Sequence, residues 1–126
     1  MWYVILCKDR PNSLPLRLEG REAHRERLSS LQNEGRLLVA GPFPNLDTSA
    51  PGEEGYSGSM IVAEFNSLED AKKWADNDPY VLSGVYKNFE VTTGQKLTMG
   101  KRCIVEASED LQDFILLSRY RNRQPT

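Results

Sequence analysis

The sequence is poor in the residues that build most metal and nucleophile centres. It has one histidine, His24, and two cysteines, Cys7 and Cys103, among 126 residues. The cysteines show no CxxC or other ligand spacing, which excludes a zinc site of the usual kind, and no metal or cofactor is expected. Both are read as free thiols, Cys7 as core filler. The glycines over 52–58 form neither GxGxxG nor a P-loop with its lysine, and there is no GxSxG elbow. Nucleotide-phosphate binding and hydrolase chemistry of the elbow type are thereby removed. Apolar runs such as Trp2–Cys7 and Phe114–Leu117 fall far short of the roughly 20 residues that span a bilayer. The net charge is only −2, with both signs interspersed, which offers no attraction to nucleic acid or an anionic membrane. The opening residues are strand-like and carry no basic leader, so a cytoplasmic location is expected.

What is present suits one globular domain, 39% apolar and 27% charged. Trp2–Cys7 is a continuous apolar run rich in aromatic and β-branched residues, the pattern of a strand buried on both faces. Arg10-Pro11-Asn12-Ser13 is a turn. A helix is predicted from about Leu16 to Asn33, with His24, Leu28 and Leu31 at i, i+4 and i+7 on one inward stripe and Gly35 as its stop. Leu37–Ala40 is a second strand, closed by Gly41-Pro42. The stretch from Gly41 to Ser59 is rich in Gly, Pro, Asn and Ser and is predicted to be a long connection. A third strand covers Ser59–Phe65. Ser67 and Asp70 have capping spacing for a second helix, which the Asn77-Asp78-Pro79 segment ends. A last strand is predicted over Val85–Thr92, with Val85, Phe89 and Val91 alternating with Tyr86, Asn88, Glu90 and Thr92.

The order is β-α-β-β-α-β, an α+β, ferredoxin-like fold with a four-stranded antiparallel sheet. Two helices cover one face of such a sheet, yet the first strand is apolar on both. The simplest cover for the second face is another copy of the chain, giving a homodimer or higher oligomer. After about Thr98 the pattern changes. Cys103-Ile104-Val105 suggests a short strand, and Ser108 an N-cap for a helix carrying Leu111, Phe114 and Ile115. Residues 99–126 are therefore read as a partly helical C-terminal extension, and residues 1–98 as the domain.

His24 is the only side chain whose ordinary pKa, about 6.5, makes it an acid or base near neutrality. From the residues alone two readings stay open: a core histidine satisfied by one hydrogen bond, or a functional group. Asp78 is locally explained as the residue that ends a helix before Pro79. Arg21, one turn before His24, is either a solvated charge or a bidentate contact to an anion.

Several segments narrow this choice. They are Met1-Trp2-Tyr3-Val4-Ile5, Arg21-Glu22-Ala23-His24, Asn33–Pro42, Ser57-Gly58-Ser59, Ala75–Tyr80 and Gly84-Val85-Tyr86. In this order and spacing residues 1–98 resemble the YciI-like (YCII-related) family. The resemblance implies a dimeric α+β barrel of ferredoxin-like subunits, with a pocket holding a histidine–aspartate pair, His24 and Asp78 here. It has no counterpart for residues 99–126. Tyr80, Ser83 and Tyr86 are candidates for the pocket lining, and each is equally explained by packing. The function expected is a cofactor-independent enzyme that isomerises or eliminates on a small organic molecule, with His24 as acid/base, Asp78 orienting it and Arg21 as an anion contact. The rival is a non-catalytic module that binds a small ligand or regulates a partner.

Overall fold

The computed structural model of the chain describes residues 1–95. The strands are β1 (Trp2–Asp9), β2 (Leu37–Pro44), β3 (Tyr56–Glu64) and β4 (Tyr86–Gly94). Helix α1 (Leu14–Asn33) joins β1 to β2, and helices α2 (Leu68–Asp76) and α3 (Pro79–Leu82) lead from β3 to β4. All pairings are antiparallel, in the order β2-β3-β1-β4. This is the ferredoxin-like βαββαβ arrangement, with one short helix added before the last strand. The strand and helix expected beyond Thr98 lie outside the described residues.

Local chemistry sets the element ends. Asn12, at φ 59°, turns the chain out of β1, a conformation asparagine tolerates better than most residues. Helix α1 begins two residues earlier than expected, because Pro15 falls in the first turn, where no backbone N–H is needed. Gly35, at φ 74°, ends it. The Ser67 hydroxyl caps α2 by accepting from the Asp70 N–H at 3.0 Å.

Two strand expectations need correction. The connection predicted over 41–59 contracts to 45–55, since β2 runs through Pro42 and Pro44 to pair with β3. These prolines are accommodated because β2 is an edge strand. In β4 the simple alternation fails. Lys8 pairs with Asn88 but Asp9 pairs with Tyr86, a bulge that inserts one residue. Tyr86 therefore joins Phe89 and Val91 on the inner face instead of opposing them.

The helices cover that inner face. Tyr3, Ile5, Cys7, Ile61 and Ala63 form its floor, with Leu31, Ala71, Ala75, Tyr80 and Val85 above them. On the opposite face Trp2 and Val4 are half-buried and Leu6 is 44% exposed, so no helix among the described residues covers this side of β1. Met60 and Val62 extend this apolar face, and Val39 from β2 is exposed beside them.

Candidate active site

The buried positions of α1 are Arg17, His24 and Leu31, spaced seven apart on one face. Two of the three are polar, and each polar one has a specific partner. His24 Nδ1 lies 2.9 Å from both carboxylate oxygens of Asp78. Asp78 reaches it because it caps α3: its side chain accepts from the Tyr80 N–H at 2.9 Å while the backbone turns into Pro79. An ionised carboxylate accepts only, so Nδ1 carries a proton and, in the neutral ring, Nε2 keeps its lone pair. No hydrogen bond occupies Nε2 among the described residues.

The ring is fixed from its face as well. Tyr80 stacks on it with centroids 4.2 Å apart and planes at 16°. The space beside His24 that Gly20 leaves is filled by Tyr80: a Cβ on Gly20 would meet the Tyr80 ring at 3.3 Å. The Tyr80 hydroxyl donates to the Arg17 carbonyl at 3.1 Å, and burial raises its pKa. Arg27 supplies a further charge. Its Nη1 is 3.6 Å from Asp78 Oδ2, too far for a hydrogen bond but close enough for attraction, and its guanidinium lies over Trp74 at 4.3 Å. Burial lowers the Arg27 pKa, which Asp78 partly offsets.

A cleft of about 230 Å³ opens beside His24. Arg17, Arg21 and Arg25 from α1 line one side, Tyr80 and Tyr56 contribute aromatic surface, and Pro42, Met60 and Ile61 are among the residues of β2 and β3 across from the helix. Of the residues singled out in the sequence, His24, Arg21 and Tyr80 reach this cleft, and Asp78 lies behind His24. Tyr86 is buried one layer deeper, its ring 5.5 Å from that of Tyr80, and its hydroxyl sits against Cys7 and Ser59 without a well-formed hydrogen bond. Ser83 ends α3 on the exposed side and is not among the lining residues. Cys7 is a buried free thiol whose pKa is pushed by burial to about 12.

Arg17 escaped the sequence reading. Its guanidinium makes two 2.9 Å bonds to Asp9 and two more, to the Gly58 carbonyl at 3.2 Å and Ser59 Oγ at 2.9 Å. It also lies 5.0–5.9 Å from the ring centroids of Tyr56, Tyr80 and Tyr86. The signal was its place seven residues before His24, an arginine on the inward face of an otherwise charged helix. Gly58 also lets β3 lie close against β1 at this point, because a Cβ there would fall 2.0 Å from the Cys7 carbonyl oxygen.

A sequence profile of the YCII-related domain matches residues 1–95. The chain belongs to the YCII-related family. Protein YciI of Escherichia coli O6:H1 is 50% identical over 97 residues, which is 77% of this chain and 99% of that protein. An uncharacterized protein of Haemophilus influenzae is 48% identical with the same coverage. Among solved structures, 5-chloro-2-hydroxyhydroquinone dehydrochlorinase (TftG) from Burkholderia phenoliruptrix AC1100, in complex with 2,5-dihydroxybenzoquinone, aligns with a TM-score of 0.67 at 27% identity. That alignment covers 75% of this chain and 94% of the dehydrochlorinase. Among the described residues no helix is long and apolar enough to cross a membrane.

Proposed function

We propose that this YCII-related protein is an acid–base enzyme that isomerises a small organic molecule, or eliminates a group from it, without a cofactor. The observation that carries this reading is the contact of His24 Nδ1 with both Asp78 oxygens at 2.9 Å, in a ring that lines a cleft. Nε2 accepts a proton from a substrate C–H or O–H, and the imidazolium that forms is held against Asp78. In an isomerisation the same proton returns at another atom. In an elimination the electron pair left behind forms the new double bond and expels the leaving group, after which the proton passes to solvent. The similar dehydrochlorinase supports the elimination arm, since its name denotes loss of hydrogen chloride. The test is turnover of small hydroxylated and halogenated aromatic or enolisable compounds by the wild type, His24→Ala and Asp78→Asn. Turnover lost in His24→Ala supports the reading. Ligand binding without turnover, unchanged in His24→Ala, favours the rival ligand-binding module.

The working unit we propose is a homodimer in the cytoplasm, with residues 1–98 as its domain. Val4, Leu6, Met60 and Val62 lie on the sheet face that no helix among the described residues covers, and a second sheet would bury them. Light scattering at micromolar concentration tests the pairing. A folded monomer contradicts it, as does an unaltered dimer in Leu6→Glu.

A further inference from the structure

We infer that the cleft beside His24 is built for a small organic carboxylate, clamped by Arg21 and Arg25. This rests on the cleft being the site of chemistry. The three arginines at its helical wall stand four residues apart, at 17, 21 and 25. Arg17 is neutralised by Asp9, and its Nε and Nη2 are committed to Asp9, Gly58 and Ser59. Arg21 and Arg25 make no hydrogen bond or ion pair among the described residues, although Glu22 and Glu26 are on the same helix. Like charges at i and i+4 repel weakly, and an anion bound between them relieves that repulsion. Guanidinium forks match the two oxygens of a carboxylate. Across the cleft Ala40, Pro42 and Ile61 offer apolar surface, which suits the hydrocarbon body of such an anion rather than an inorganic ion. A volume of about 230 Å³ suits a molecule of benzoate size and is too small for a nucleotide.

The test uses the full chain and three probes: benzoate, the neutral benzamide, and inorganic phosphate. Affinity is read by calorimetry, and location by the ring signals of His24, the only histidine. Benzoate is expected to bind at least about tenfold more tightly than either other probe and to shift the His24 signals. Arg25→Gln should weaken benzoate by about tenfold, and Arg25→Lys by less, because charge survives without the fork. Arg25 is exposed, so these variants should keep the fold, which circular dichroism checks. Benzamide or phosphate binding as tightly as benzoate overturns the inference. So does no benzoate binding at about 20 mM, or affinity unchanged in Arg25→Gln. Benzoate binding retained in His24→Ala, with no turnover by the wild type, leaves the clamp standing and removes the acid–base reading. Turnover that needs His24 but shows no preference for carboxylates does the reverse.

Discussion

Arg17 and Arg27 are both withdrawn from solvent along one helix, and the fold treats them oppositely. Burial works against the charge of each. At Arg17 the hydrogen-bonded Asp9 more than offsets burial, and the pKa is raised. At Arg27 the more distant Asp78 does not, and the pKa is lowered. The difference follows from geometry. Arg17 forms a two-point bond with its carboxylate, whereas Arg27 meets a carboxylate whose oxygens are already engaged by His24 and the Tyr80 N–H. The first arrangement spends its hydrogen bonds on holding α1 to β1 and β3. The second leaves charge attraction free to act on a histidine. One arginine is thus a fixture of the fold, and the other sits behind the site.

Substitutions sharpen this contrast. Arg17→Met should cost the most, about 3–5 kcal/mol, because it strands a buried Asp9 carboxylate. Urea unfolding measures it, and a loss below about 1 kcal/mol would make Arg17 an ordinary surface charge. Asp78→Asn should cost less, about 1–3 kcal/mol, since the amide oxygen can still cap Tyr80 while Arg27 loses its counter-charge. Its effect on turnover should be far larger, on the order of 10²–10⁴-fold, the range expected when a general base loses its function. Arg27→Gln should cost the least in stability, about 1 kcal/mol or under, as its contact with Asp78 lacks a hydrogen bond. In that variant the Nδ1–H form of the His24 ring should persist, with altered chemical shifts. A destabilisation equal to that of Arg17→Met would break the comparison.

Much of the fold was readable because its signals are local. The inward stripe placed His24, Ser67 and Asp70 marked the start of α2, and Gly35 marked the end of α1. The apolar excess on β1 pointed to the sheet face that no helix among the described residues covers. What was not readable depends on pairing between distant strands. The bulge that turns Tyr86 inward is set by the register of β1 against β4, and prolines enter β2 only because that strand lies at the sheet edge. The site divides in the same way. Asp78 carries a sufficient local explanation as a cap, and its contact with a histidine 54 residues away came only from family resemblance. The bonds of Arg17 to Asp9, Gly58 and Ser59 join three elements, and no spacing in the sequence announces them.

The central claim is that Asp78 fixes the His24 ring with Nδ1 protonated and Nε2 free to accept a proton. Nitrogen-15 NMR of the sole imidazole reads this directly at a pH where the ring is neutral. The wild type should show Nδ1–H with an unprotonated Nε2. Asp78→Asn should move the ring toward the Nε2–H form, because the amide can donate to Nδ1 where the carboxylate could only accept. A wild-type ring already protonated on Nε2, or one whose tautomer is the same in both proteins, would contradict the account.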